Sequence, residues 1–321
     1  MSMKFRIIVT LGPSLLDGKR LPTIDALGEC IYRINGAHSS ELQARDYIAR
    51  VRSILPQARI LIDLPGNKVR TAHLEPPIRL IKGEDFSLRP HEVNYPGFHE
   101  HLKPGDMISA YDAVYTFEVL EAAKEAIRLR SHSDGLLHSN RGLHAKGVND
   151  TMPFLFEKDY MLMRVAKEEK IDYLGLSFVR SGQDIKEVKA HLGPCDIHLI
   201  AKVETAAAIQ NLYGIFQEVQ SILIDRGDLS SAIGLLNIAN AQRNIIDAAQ
   251  RAHVEVYLAT QFLKNMEQYP VPLIAEVIDL CQTVRSGIVG IQLSEETAVG
   301  KYPVECVKLV ADAFQHSFHN A

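Results

Sequence analysis

Short apolar, β-branched runs recur along the chain. They are RIIVTLG (6–12), CIYRINGA (30–37), RILIDLPG (59–66), IDYLGLSF (171–178), HLIAKVE (198–204), SILIDRGDL (221–229), VEVYLATQF (254–262) and GIVGIQLS (287–294). Within each, successive positions are apolar, so both faces of the strand are expected to be covered, as in a parallel sheet. Between most of them lie stretches of helical period, such as ELQARDYIARVRSIL (41–55), EKDYMLMRVAKEEK (157–170) and LIAEVIDLCQTV (273–284). Alternating strands and helices imply parallel strands joined by right-handed crossovers. Eight such units close most simply into a (β/α)8 TIM barrel, with a doubly wound open sheet as the alternative.

One interval breaks the rhythm. After the third run no helix follows; the chain reads IRLIKGEDFSLRP, LKPGDMISAYDAVYTFEVL and IRLRSHSDGLLHSN instead. Alternation around Lys-Gly, Pro-Gly and Asp-Gly predicts a small antiparallel, β-rich lid domain inserted after strand three. The expected division is 1–71 and 147–321 for the barrel and 72–146 for the lid. The His-Glu-His triplet at 99–101 has weak metal-ligand spacing and reads better as solvated histidines.

Composition narrows the class. The 321 residues are 46% hydrophobic and 23% charged, ordinary for a globular protein. A net charge of −4 argues against nucleic acid as a partner. No apolar run reaches the roughly 18 residues of a membrane span. The start, MSMKFRIIVTLG, lacks the apolar core of a secretory leader and reads as an early strand. Cys30, Cys195, Cys281 and Cys306 are widely separated, which fits reduced, mostly buried thiols and a cytoplasmic location.

Barrel chemistry sits at the C-terminal ends of the strands. The residues expected there are Thr10 to Ser14, then Arg33, Asn35 and His38, then Asp63, Lys68 and Arg70, then Ser177 and Arg180. Next come Lys202 and Glu204, Asp225 to Asp228, Thr260 and Gln261, and Ser294 to Thr297. Lys202 and Glu204 are two apart on one strand and share a face. The next strand ends in Asp-Arg-Gly-Asp, which brings Asp228 near Glu204. Two close carboxylates repel unless a cation lies between them, and Mg²⁺ or Mn²⁺ suits such a pair. The other reading is a structural ion pair, Lys202 with Glu204 or Arg226 with a glutamate. With Arg33 and Arg70 nearby, metal, phosphate binding and lysine together point to phosphoryl transfer.

The stretches TLGPS (10–14), RINGAH (33–38), DLPGNKVRT (63–71), KGVN (146–149), SFVRSGQDI (177–185), IAKVET (200–205), DRGDL (225–229), ATQFLKNM (259–266) and LSEETAVGKYPVE (293–305) stand in the order found in the pyruvate kinase family, which the chain resembles. The resemblance covers the family's catalytic barrel and a shortened lid; its C-terminal allosteric domain is expected to be absent. The resemblance implies that Arg33 and Arg70 hold the phosphoryl group of phosphoenolpyruvate and that Lys202 stabilises it in transit. Glu204 and Asp228 are implied as ligands of the divalent cation. The backbone of Arg226, Gly227 and Asp228 and the Thr260 hydroxyl are implied as holding the substrate carboxylate. Thr260, Ser294 and Glu296 would face the enolate. Pro13, Asn35, His38 and Lys146 would line the nucleotide, ADP or ATP. Asn35 and Asp63 match ligands of an activating K⁺ ion.

This sequence also departs from the family pattern. Ala37 stands where a serine ligand of K⁺ is usual, and Lys68 where a glutamate is usual; an ammonium beside Asp63 would replace K⁺, so activity is expected without it. Val299 replaces a lysine near the diphosphate, Ala145 replaces another, and Tyr111-Asp112-Ala113 replaces Asp-Asp-Gly. Glu295 and Asp225 are extra acids. The expected function is pyruvate-kinase-like phosphotransfer. The alternatives are an enolate enzyme with another acceptor, either a phosphotransferase to a non-nucleotide or a C–C lyase, and a non-catalytic relative. A homo-oligomer is expected.

Overall fold

The computed structural model of the chain describes residues 5–110, 114–145, 147–148 and 151–319. Fifteen strands are defined among the described residues. The first three are β1 (Arg6–Thr10), β2 (Glu29–Asn35) and β3 (Arg59–Leu64). Seven follow in the insertion: β4 (Ile78–Leu80), β5 (Asp85–Leu88), β6 (Met107–Ala110), β7 (Tyr115–Ala122), β8 (Ile127–Ser131), β9 (Gly135–Leu137) and β10 (Leu143–Ala145). The last five are β11 (Tyr173–Leu176), β12 (His198–Val203), β13 (Ser221–Asp225), β14 (Glu255–Ala259) and β15 (Gly290–Leu293).

The sheet β1-β15-β14-β13-β12-β11-β3-β2 is a closed barrel, and each neighbouring pair is parallel. Closure between β1 and β2 rules out the open, doubly wound sheet. Each of the eight apolar runs coincides with one of these strands, β2 beginning one residue ahead of its run at Glu29. Inward side chains fill the middle of the barrel with Ile8, Ile31, Leu61, Ile200, Leu223, Tyr257 and Ala259. Outward ones such as Ile7, Val9, Tyr32 and Ile34 are buried too, which explains apolarity on both faces.

The helix Glu41–Ile54 starts at Ser40, whose hydroxyl accepts from Gln43 N–H while the Gln43 side chain accepts from Ser40 N–H. Ser181 caps Gly182–Leu192 similarly, and Thr205 caps Ala206–Gln210. These caps end the loops that follow the strands and so fix the length of the rim.

The chain divides into two compact units, Met1–Pro65 with Glu157–Ala321, and Gly66–Phe156. The second unit is antiparallel, with the sheet β10-β6-β7-β8-β5 and the pair β4-β9. Its core is built from Phe98, Phe117, Leu129, Leu143 and their neighbours. Gly83 and Gly105 turn the chain at φ +88° and +90°, as the Lys-Gly and Pro-Gly signals predict. In the His-Glu-His triplet, His101 pairs with Tyr95 and Thr151 and His99 with the Pro96 carbonyl, so these histidines serve packing. Cys30 and Cys306 are buried, but Cys195 is exposed and Cys281 half-buried, against the expectation of mostly buried thiols. No helix among the described residues is long and apolar enough to cross a membrane.

Candidate active site

Lys202 and Glu204 lie at the C-terminal end of β12 and on its inner face, only 5% and 1% exposed. Lys202 Nζ donates to Ser177 Oγ at 3.2 Å. It lies 3.5 Å from Glu204 Oε2, 3.7 Å from Asp225 Oδ2 and 3.8 Å from Asp63 Oδ2. Burial opposes its charge, but Glu204, Asp63 and Asp225 outweigh burial and raise its pKa, so the ammonium stays protonated. Arg33 donates from Nε to Asp63 at 2.7 Å and from Nη1 to Thr10 Oγ1 at 2.9 Å. Asp63 fits because residue 175 is glycine: a Cβ there would sit 2.0 Å from Asp63 Oδ1. That oxygen has no hydrogen-bond partner among the described residues.

Glu204 Oε1 accepts from Phe178 N–H at 2.8 Å, in a turn where Phe178 takes φ +57°. Its other oxygen, Oε2, is buried without a hydrogen-bond partner among the described residues. Burial, with Asp228 and Asp225 nearby and Lys202 opposing, pushes the Glu204 carboxyl up to about 8. Ligand oxygens of Glu204, Asp225 and Asp228 lie within 4.8 Å of one another. Two cations, Arg33 and Lys202, thus face four carboxylates, Asp63, Glu204, Asp225 and Asp228. The clustered carboxyl groups, a buried Glu204 oxygen without a hydrogen-bond partner among the described residues and an all-oxygen donor set fit a hard divalent cation such as Mg²⁺ or Mn²⁺. Lys202–Glu204 is therefore an ion pair and part of an incomplete cluster at once.

β13 stops at Asp225, earlier than the run to Leu229 implies, and the helix Arg226–Ile233 begins there. Asp225 is its N-cap and accepts from Gly227 N–H at 3.2 Å. Burial opposes the Asp225 charge, but Lys202, the Thr260 hydroxyl and Arg33 together lower its pKa. The Arg226 side chain turns away from the cluster. It donates to the Thr260 carbonyl at 2.7 and 3.1 Å and to Asp279 at 2.7 Å, and lies 4.0 Å over the Phe262 ring. Only its backbone remains toward the rim. Thr260 has φ +82°, and its hydroxyl donates to Asp225 Oδ1 at 2.6 Å.

Ser294 N–H donates to Glu296 Oε2 at 2.7 Å, and Leu263 N–H to Glu296 Oε1 at 3.4 Å. One oxygen of the buried Glu296 thus holds the turn that presents Ser294 and the other ties it to the segment after β14, and burial raises its pKa. The β1 and β15 loops are stitched together by Thr297 Oγ1 to the Thr10 carbonyl at 3.0 Å and Ser14 N–H to the Ala298 carbonyl at 3.0 Å. Pro13 and His38 are exposed. The Asn35 side-chain oxygen accepts from Ala37 N–H at 3.1 Å, closing its own turn. Arg180 pairs with Asp184 at 2.8 Å, away from the cluster. Lys68 and Arg70 belong to the second unit, where Arg70 N–H donates to Asn94 and its guanidinium to the Lys68 carbonyl. Lys146 and residues 111–113 lie outside the described residues.

Ser177 and Thr10, the neutral partners of Lys202 and Arg33, carry no charge that would single them out along the chain. Their one signal is position, as hydroxyl residues at the ends of apolar runs.

The family model described as "Pyruvate kinase, barrel domain" matches residues 2–307. The chain belongs to the pyruvate kinase family. It is 30% identical over 318 residues to plastidial pyruvate kinase 2 of Arabidopsis thaliana, covering 94% of this chain and 55% of that one. To pyruvate kinase of Borreliella burgdorferi it is 28% identical over 316 residues, covering 95% of this chain and 66% of that one. To pyruvate kinase of Thermotoga maritima it is 27% identical over 322 residues, covering 95% and 69%. The chain spans little more than half the length of the plant relatives it matches.

Proposed function

We propose that the chain transfers the phosphoryl group of phosphoenolpyruvate to a nucleoside diphosphate, giving pyruvate, with Mg²⁺ or Mn²⁺ held by Glu204 and Asp228. The observation that carries this reading is Lys202: a buried, protonated ammonium ringed by Asp63, Glu204 and Asp225 beside a buried Glu204 oxygen with no hydrogen-bond partner among the described residues. When bound, the divalent cation supplies positive charge to the phosphoryl and enolate oxygens. Lys202 supplies a second, fixed positive charge to the phosphoryl group in transit, in a site too buried for water to screen it. Arg33, locked by Asp63 and Thr10, orients the phosphoryl oxygens. The backbone N–H groups at Gly227 and Asp228, with the Thr260 hydroxyl, take the substrate carboxylate. Thr260 and Ser294 hold the water that protonates the enolate, and Glu296 is a positioning residue for Ser294. Pro13, Asn35 and His38 line the nucleotide.

The reading includes activity without K⁺. It rests on Ala37 and Lys68, which stand where the family pattern has a serine and a glutamate, the lysine ammonium supplying the positive charge that K⁺ otherwise gives. Large apolar side chains stand exposed at Leu235, Leu236 and Ile274, which supports a homo-oligomer; light scattering tests it.

A second reading keeps the enolate chemistry and changes the acceptor. It is favoured by Val299, an exposed apolar side chain where the family pattern places a cation near the diphosphate. Incubation with Mg²⁺, phosphoenolpyruvate and ADP separates the two. ATP and pyruvate in equal amounts, formed equally in K⁺ and in a bulky organic cation, support the first. Proton exchange into pyruvate without ATP supports the second, and neither signal leaves a non-catalytic relative.

A further inference from the structure

We infer that Asp225 is a specificity-determining residue: its side chain fills a carboxylate subsite from within the chain, and a ligand carboxylate enters only by displacing it. The inference rests on reading the strand-end cluster as a site for an anionic, metal-associated substrate. Asp225 Oδ1 accepts from the Thr260 hydroxyl at 2.6 Å and from Gly227 N–H at 3.2 Å, while Oδ2 lies 3.7 Å from Lys202. One oxygen on neutral donors and the other toward a cation is how a small bound carboxylate sits in a charged pocket.

A helix cap alone does not account for this arrangement. Serine or asparagine caps a helix about as well as aspartate, without a third negative charge beside Glu204 and Asp228. The Thr260 hydroxyl is aimed by force. A β-branched residue at φ +82° is strained, and the Arg226 guanidinium, itself fixed by Asp279 and Phe262, holds the Thr260 carbonyl in place. Strain of this kind is maintained around functional groups more readily than around a cap. The two donors also converge closely, since a Cβ at Gly227 would lie 3.0 Å from Thr260 Cγ2. The second, independent pointer to a ligand is Glu204 Oε2, buried, lacking a hydrogen-bond partner among the described residues and part of the same cluster.

The test is oxalate binding by calorimetry at saturating Mn²⁺, with Mn²⁺ occupancy counted by electron paramagnetic resonance. Asp225→Ala removes the internal carboxylate, and Asp225→Ser removes it while keeping a capping oxygen, so a failure to fold in the first leaves the second. Both variants are expected to bind oxalate at least about tenfold tighter than the parent. Equal or weaker oxalate binding with Mn²⁺ still bound overturns the inference. So does loss of Mn²⁺ from both variants, because Asp225 would then be holding metal. The outcome is separable from the proposed reaction. A parent that makes no ATP while its variants gain oxalate affinity refutes the kinase reading alone. A parent that makes ATP with oxalate affinity insensitive to residue 225 refutes this inference alone.

Discussion

At the N-terminal end of the barrel, Arg6 donates from Nη1 to Glu255 and to Tyr257, each at 2.8 Å. Ser221 donates to Glu255 at 3.1 Å, and His198 pairs with Ser221 at 2.8 Å under the edge of Tyr173. At the C-terminal end of the same strands, Arg33 and Lys202 face four carboxylates, and Asp63 Oδ1 and Glu204 Oε2 are buried without hydrogen-bond partners among the described residues. Both ends place charge around a barrel middle that is mostly apolar, with the buried Gln292 among its residues. Only the N-terminal network balances itself. A buried polar atom without a partner costs free energy that a fold gains nothing by retaining, unless a ligand supplies the partner. The difference locates function at one end and stability at the other.

That contrast can be broken most forcefully at Lys202. Lys202→Met is expected to lower phosphoryl transfer by about a thousandfold or more, since it removes a fixed charge from the transition state. It also leaves three carboxylates facing one another, so the metal-free variant should lose roughly 3–5 kcal/mol of stability. Activity within tenfold of the parent would remove Lys202 from the mechanism.

At the other end, Glu255→Ala strands the Arg6 guanidinium. It should cost about 1–3 kcal/mol, read as a fall in Tm of several degrees, with kcat per folded molecule unchanged. A large drop in kcat with no change in Tm would reverse the assignment of the two ends.

The smallest effect concerns pH. Burial, with Glu255 opposing and Arg6 adding, holds the His198 imidazole below its ordinary 6.5. As pH falls, the unfolded chain takes up the proton first. The stability contributed by neutral His198 is therefore full above 6.5 and is lost as pH falls through and below that value. His198→Gln should reduce the fall in Tm between about pH 7.5 and pH 5.5 by about 1–2 °C. An identical pH profile in parent and variant would show that His198 does not titrate differently on folding.

Much of the barrel and its site is legible in the order of the residues. Parallel strands are apolar on both faces, so RIIVT and SILID announce themselves, and a charge that interrupts such a run marks its end. Arg33, Asp63, Lys202 and Glu204 stand out that way. What stays hidden depends on contacts between distant residues. Nothing in ATQF signals that Thr260 takes φ +82° or that its hydroxyl meets Asp225 across 35 positions of sequence. The apolar run into DRGDL reads as strand through Leu229, but Asp225 caps a helix that starts at Arg226. For the Arg226 side chain the sequence offers an ion pair with a glutamate; its partner is Asp279, with Phe262 beneath it. In the insertion, the turn glycines are plain, while the short 3-10 segments are not: Pro96–His101 is anchored by Phe98 in the unit's core, and Pro90–Glu92 by the Glu92 side chain accepting from Arg89 N–H.

The claim that the C-terminal end is completed by a divalent cation is tested most directly by adding Mn²⁺ and following its binding together with Tm. The parent should bind one ion per chain and gain about 5 °C or more at saturating Mn²⁺. Glu204→Gln should lose most of that gain while being at least as stable without metal, because the variant no longer buries a negative charge beside Asp225 and Asp228. An unchanged Tm in the parent, or the same gain in both proteins, would contradict it.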